Sequence, residues 1–102
     1  MNSERIKMLE QFVIEGPHDP FNQYALGLEL AKSDQGQAKK VFDRLIAAHP
    51  TYLPAYYQTA LLYIELSLSA EAKQIIEAGI ALAEQQLNAK TLNELRGLLD
   101  DL

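Results

Sequence analysis

The feature that most constrains this chain is an internal repeat with a period of about 34 residues. Ala38 and Phe42 stand four residues apart, and Ala72 and Ile76 repeat that spacing one period later. Just upstream, Leu26, Gly27 and Leu30 recur slightly less than one period later as Thr59, Ala60 and Tyr63. Periods of this length are typical of arrays in which each unit is one supersecondary element that buries its apolar face against its neighbours.

Apolar spacing and capping signals predict six helices and no strands. The predicted helices cover residues 3–15, 21–33, 36–48, 55–67, 70–86 and 88–102. The expected N-caps are Ser3, Asp19, Asp34 (in a capping box with Gln37), Ser69 and Asn88. Since the turns between helices are short, neighbouring helices should be antiparallel. The predicted fold class is therefore all-α.

The repeat resembles the tetratricopeptide repeat (TPR), whose signature runs W-x2-L-G-x2-Y, then A-x3-F, then P. The first copy reads Gln23, Leu26, Gly27, Leu30, Ala38, Phe42 and Pro50, and the second reads Tyr56, Thr59, Ala60, Tyr63, Ala72, Ile76 and Glu84. The departures from the signature are Gln23 at the aromatic position, Thr59 at the leucine position and Glu84 at the proline position.

The TPR resemblance implies a right-handed superhelix of antiparallel helix pairs within a single domain. Repeat one would occupy residues 19–50 and repeat two residues 53–86. The last helix, at residues 88–102, stands where the family has either its C-terminal capping helix or the first helix of a third repeat. The N-terminal helix at residues 3–15 resembles the second helix of a degenerate earlier repeat.

Gly27 lies inside a predicted helix, where glycine costs roughly 1 kcal/mol relative to alanine. In the TPR fold the small residues lie where the two helices of a repeat cross. The resemblance therefore implies that Gly27 packs against Ala38, and Ala60 against Ala72. Such close packing would offset the propensity cost of the glycine, because a larger side chain would overpack the crossing.

Composition excludes several classes of function. The net charge is −5, and residues 51–86 contain one Lys and no Arg, which opposes binding to nucleic acid and to anionic membranes. The absence of Cys excludes disulfides and thiolate chemistry. There is no apolar run of the about 18 residues that a membrane helix needs, and the first residues lack a signal-peptide pattern. We expect a soluble, cytoplasmic protein.

No residue pattern indicates catalysis. His18 and His49 both stand in predicted turns beside prolines, and nothing in the sequence brings a nucleophile or a carboxylate pair to either. Their spacing matches no metal-binding motif, and glycine-rich phosphate loops are missing. We therefore expect no enzymatic activity, no catalytic residue, no metal and no cofactor.

In TPR proteins the first helix of each repeat lines a concave, peptide-binding groove. The positions that the resemblance assigns to this groove are Phe21, Tyr24, Leu28, Lys32, Tyr57, Gln58, Leu61 and Glu65. Tyrosine suits such a surface because it combines a large contact area with a polar tip. Burial preference favours the core for Leu28 and Leu61 and leaves both assignments open for Tyr24 and Tyr57.

The resemblance implies a non-catalytic protein-interaction module, an adaptor or scaffold that binds an apolar peptide or helix. The residues of the family's carboxylate clamp are replaced here, because Tyr24, Leu28 and Gln58 stand at clamp positions. A chaperone-tail receptor is therefore not expected. The alternative function is self-association, a homodimer formed through the same apolar face.

Overall fold

The computed structural model describes residues 3–102, and these residues form six helices and no β-strand. The helices are α1 (Ser3–Glu15), α2 (Pro20–Ala31), α3 (Gln35–Ala48), α4 (Pro54–Glu65), α5 (Ser69–Gln85) and α6 (Ala89–Asp101). The predicted all-α fold class is confirmed. The predicted helix ends differ from these by two residues or fewer, which is within the usual uncertainty of helix boundaries.

Three of the predicted N-caps are present as side-chain hydrogen bonds. In each, a side-chain oxygen accepts from a backbone N–H of the first helical turn, which would otherwise have no partner. The donor and acceptor pairs are Phe21 to Asp19 at 3.0 Å, Gln37 to Asp34 at 3.1 Å and Thr91 to Asn88 at 3.0 Å. These short polar residues therefore determine where α2, α3 and α6 begin.

Two predicted capping features were wrong. Ser69 is the first residue of α5, with Leu68 at the cap, because the Leu68 carbonyl already accepts from the Ala72 amide at 2.8 Å. The capping box of α3 is only half formed: the Asp34 amide donates to the Leu30 carbonyl at 2.7 Å instead of to the Gln37 side chain. For α3, the turn before the helix therefore uses the Asp34 amide that the predicted box had assigned to Gln37.

The chain divides into two compact units, one ending at Pro50 and one formed by Thr51–Leu102. In the first unit α2 packs against α3 and α1 packs against α2. In the second unit α5 packs between α4 and α6, and α6 also contacts α4. The helix pairs α2–α3 and α4–α5 are those of the two predicted repeats. That the chain forms a single domain stays a prediction.

The core of the first unit is built around Phe42. Its ring is 1% exposed and lies directly over Gly27. A Cβ atom built on Gly27 would stand 2.5 Å from Cε1 of Phe42, and the three atoms nearest to it all belong to that ring. The predicted neighbour, Ala38, is fully buried but is not the group that requires the glycine. The Phe42 ring thus comes closest to Gly27, and the predicted packing of Gly27 against Ala38 stays a prediction.

The core of the second unit contains a second close approach, at Gly79. A Cβ atom there would stand 2.9 Å from Cδ1 of Leu95 on α6 and 3.0 Å from Cβ of Tyr56 on α4. Leu95 is fully buried in a cluster with Ala60 and Ile76. Burial raises the pKa of the Tyr56 hydroxyl above its ordinary value of 10.0. Gly79 thus lets α5 fit closely against both of its neighbours.

Helices α4 and α5 both end in Schellman turns with a non-glycine residue in the left-handed region. Ser67 has φ 61° and Leu87 has φ 57°. After α5, the Leu87 amide donates to the Glu84 carbonyl at 3.2 Å and the Asn88 amide donates to the Ala83 carbonyl at 2.9 Å. This turn normally takes glycine, since a Cβ atom is unfavourable in the left-handed conformation.

Candidate protein-binding surfaces

Four of the predicted groove residues lie on α2 or at its C-terminal cap, spaced three or four apart and therefore on one face of the helix. They are Phe21, Tyr24, Leu28 and Lys32. Phe21 is 59% exposed and Lys32 is exposed, whereas Tyr24 and Leu28 are half-buried. The Tyr24 ring lies against Phe42, with 6.5 Å between the ring centroids and a tilt of 54°. Tyr24 therefore contributes to the core of the first unit and to its surface.

The other four residues belong to the second unit. Tyr57, Gln58 and Leu61 on α4 are half-buried, and Glu65 is exposed. Tyr57 packs against the buried cluster of Ala60, Ile76 and Leu95. Like Tyr24, it serves both the core and the surface. Leu28 and Leu61, expected in the core, are only partly covered.

The α2 face is bordered by an ion-pair network that the sequence pattern did not predict. Glu29 is buried, with 5% of its side chain exposed, and it accepts from Nε of Arg5 on α1 at 2.7 Å. Nζ of Lys32 lies 3.5 Å from the same carboxylate oxygen. A buried carboxylate needs such partners because desolvation penalises its charge. The available signal was Glu29 itself, a single charge within the apolar stretch YALGLELA.

A cavity of about 270 Å³ lies in the first unit, apart from the predicted face. It is lined by Val13, Gln23, Leu26, Val41, Arg44 and Ala48. In the second unit, a cavity of about 320 Å³ lies at the turn between α5 and α6, beside Leu87, which is 91% exposed. Neither cavity is predicted by the sequence pattern.

The described residues contain no cluster of metal-binding side chains. Within residues 3–102 there is no group of three or more His, Asp or Glu residues that could hold a metal ion. His18 is exposed, and His49 caps α3, its amide donating to the Leu45 carbonyl at 2.8 Å. In the same range, every helix is too short or too polar to cross a bilayer.

Solved structures resemble this fold over most of its length. The solution NMR structure of a tetratricopeptide repeat domain protein from Salinibacter ruber is 32% identical in sequence, with a TM-score of 0.78. The match covers 83% of this chain and 87% of that one. This chain belongs to the TPR family. The identification confirms the resemblance deduced from the two repeats, and TPR domains are in general non-catalytic protein-interaction modules.

Two further comparisons support the TPR fold. A crystal structure of a TPR domain protein from the same organism is 32% identical, with a TM-score of 0.76, covering 79% of this TPR chain and 92% of that chain. The crystal structure of MamA shares the fold at 21% identity and a TM-score of 0.69, covering 93% of this chain and 63% of MamA. No protein-family model and no curated protein matches the sequence.

Proposed function

We propose that this TPR protein is a non-catalytic adaptor or scaffold that binds an apolar peptide or helix through the first helix of each repeat. The observation that carries the proposal is Phe21, a large aromatic side chain that is 59% exposed on the α2 face. An exposed aromatic residue is costly in water and is typical of protein-binding surfaces. Tyr24 and Leu28 extend the same face with partly exposed apolar surface.

The α4 face supports the proposal in the second unit. Tyr57 and Leu61 are half-buried, so each retains surface for a ligand, and the buried cluster of the second unit holds Tyr57 in place. Residues that are fixed before binding lose little conformational entropy when a ligand arrives. Gln58 would add hydrogen bonding, and Lys32 and Glu65 would form the charged rims of the two faces.

A homodimer formed through the same apolar face is the second candidate, and one observation favours self-association in general. Large apolar side chains are also exposed outside the two proposed faces: Met8 at 47%, Phe12 at 42%, Ile14 at 70%, Leu87 at 91% and Leu102 at 47%. A second copy of the chain could cover such surface. In sedimentation equilibrium, a concentration-dependent dimer would support this second candidate, and a monomer at all concentrations would contradict it.

The adaptor proposal can be tested by selecting peptides on the wild-type protein from a random phage-displayed library. The selected peptides should be rich in apolar residues, and Phe21→Glu and Tyr57→Glu should each weaken their binding. Lys73→Glu is the matched control, since Lys73 is exposed on α5 and outside both faces. Circular dichroism melts show which variants stay folded. If folded Phe21→Glu binds as the wild type does, the proposed α2 face is wrong.

A further inference from the structure

The cavity in the first unit lies where repeat one lacks the aromatic residue of the TPR signature. Gln23 stands at that position, and its counterpart in repeat two is Tyr56. Tyr56 is 6% exposed and its Cβ stands close to the α5 backbone at Gly79, so it fills the interior of the second unit. Gln23 is only half-buried and lines the cavity instead. Repeat two thus supplies its own aromatic side chain, whereas repeat one does not.

The size and lining of the Gln23 cavity suit an aromatic ring. The cavity is open to solvent on one side and has a volume of about 270 Å³, whereas an enclosed apolar cavity of about 150 Å³ is already large enough to bind benzene. Val13 of α1, Leu26 of α2, and Val41 and Ala48 of α3 form the apolar wall. The Gln23 amide supplies one neutral polar group that can donate and accept hydrogen bonds.

Arg44 gives the cavity its charge. It is exposed and forms no ion pair with any residue in the range 3–102. Lys40, one turn earlier on α3, is also exposed and without an ion pair in that range. A guanidinium beside an apolar cavity stacks on aromatic faces and pairs with carboxylates. The edge of the cavity is therefore complementary to negative charge, although the protein as a whole is acidic.

We propose that the Gln23 cavity binds an aromatic side chain of a partner peptide in which acidic residues flank the aromatic one. The ring would enter the space that the repeat's own aromatic residue would fill, and a flanking carboxylate would pair with Arg44. This site differs from the α2 face proposed above. With roughly 3.6 residues per turn, Gln23 and Leu26 lie on nearly the opposite side of α2 from Tyr24 and Leu28.

The test is an NMR titration of the folded chain with three blocked tripeptides: acetyl-Glu-Trp-Glu-amide, acetyl-Lys-Trp-Lys-amide and acetyl-Glu-Ala-Glu-amide. The first should bind saturably with a Kd on the order of 1 mM, shifting the resonances of Val13, Val41 and Ala48. The basic peptide should bind about fivefold more weakly, the scale of one exposed ion pair. The alanine peptide should not bind. In Arg44→Gln the difference between the two tryptophan peptides should disappear.

Two variants close the cavity from within the chain. Gln23→Tyr copies repeat two, and it should weaken binding of acetyl-Glu-Trp-Glu-amide by about tenfold or more while raising the melting temperature by about 4 °C. Gln74→Tyr, at an exposed glutamine of α5, is the control and should change neither quantity. Ala48→Phe blocks the exposed edge of the cavity. If Gln23→Tyr does not fold, the affinity of Ala48→Phe for acetyl-Glu-Trp-Glu-amide tests the proposal instead. Unchanged affinity in a folded closing variant, or no saturable binding to the wild type, would overturn the proposal.

Discussion

The ring of Phe42 occupies the space that any side chain at position 27 would need, with only 2.5 Å between its Cε1 and a Cβ atom built on Gly27. The glycine that weakens α2 as an isolated helix is thus required for the contact between α2 and α3. Phe42 is almost completely buried, so its ring has little room to move away.

This contact predicts opposite effects for two Gly→Ala substitutions. Gly27→Ala should destabilise the protein by about 1 to 3 kcal/mol, because overpacking outweighs the gain in helix propensity. Gly97→Ala should stabilise it by up to about 1 kcal/mol, since the added Cβ would meet no atom within 4 Å other than the adjoining helix backbone. Urea unfolding of both variants measures these free energies. A Gly27→Ala variant as stable as Gly97→Ala would contradict the packing described here.

Thr59 offers a stabilising substitution. It is fully buried, and its hydroxyl oxygen has no hydrogen-bond partner among the described residues. Thr59→Val removes the unpaired hydroxyl and keeps the shape, so the free energy of unfolding should rise by about 1 to 3 kcal/mol. Thr91→Val, at a half-buried position, should change it by less than about 0.5 kcal/mol. Chemical denaturation distinguishes these results, and a destabilised Thr59→Val would mean that the hydroxyl is paired.

The Arg5–Glu29 ion pair should stabilise the attachment of α1. In Arg5→Ala the buried Glu29 carboxylate keeps only the longer 3.5 Å contact with Lys32, which should cost about 1 to 2 kcal/mol. Lys39→Ala removes the pair with Asp43 at 2.8 Å, whose carboxylate is 39% exposed where that of Glu29 is 5% exposed, and should cost less than about 1 kcal/mol. Hydrogen exchange of the α1 amides should accelerate in Arg5→Ala and not in Lys39→Ala. Equal exchange rates of the α1 amides in the two variants would show that the Arg5–Glu29 pair does not stabilise the attachment of α1.

Leu87 should be replaceable by glycine with a gain in stability. Its φ of 57° is unfavourable for a side-chain-bearing residue by about 1 to 2 kcal/mol, and its side chain is 91% exposed, so little packing is lost. After the entropy cost of glycine, Leu87→Gly should stabilise the fold by about 0.5 to 1 kcal/mol. Leu87→Ala keeps the Cβ atom and should give no such gain. Thermal melts of both variants and the wild type check whether Leu87→Gly raises the melting temperature and Leu87→Ala does not.

The sequence predicted those features that depend on local interactions or on the repeat. The caps at Asp19, Asp34 and Asn88 involve groups two or three residues apart, and the period of the repeat identified both helix pairs. The Ser69 prediction failed because the preceding turn determines where α5 begins.

Features that depend on side chains meeting across the fold were not predictable in the same way. Arg5 and Glu29 lie 24 residues apart, and nothing local connects them. The partner of Gly27 depends on how far the Phe42 ring reaches from α3. The predicted site residues occupy one face of α2 and one of α4, but their role in binding stays a prediction.

The most direct test of the adaptor function is an NMR titration of the wild-type protein with a peptide selected on it. The account predicts that the largest shifts fall on Phe21, Tyr24 and Leu28 of α2 and on Tyr57 and Leu61 of α4. Shifts confined to α1 and α6, with both faces unchanged, would contradict it.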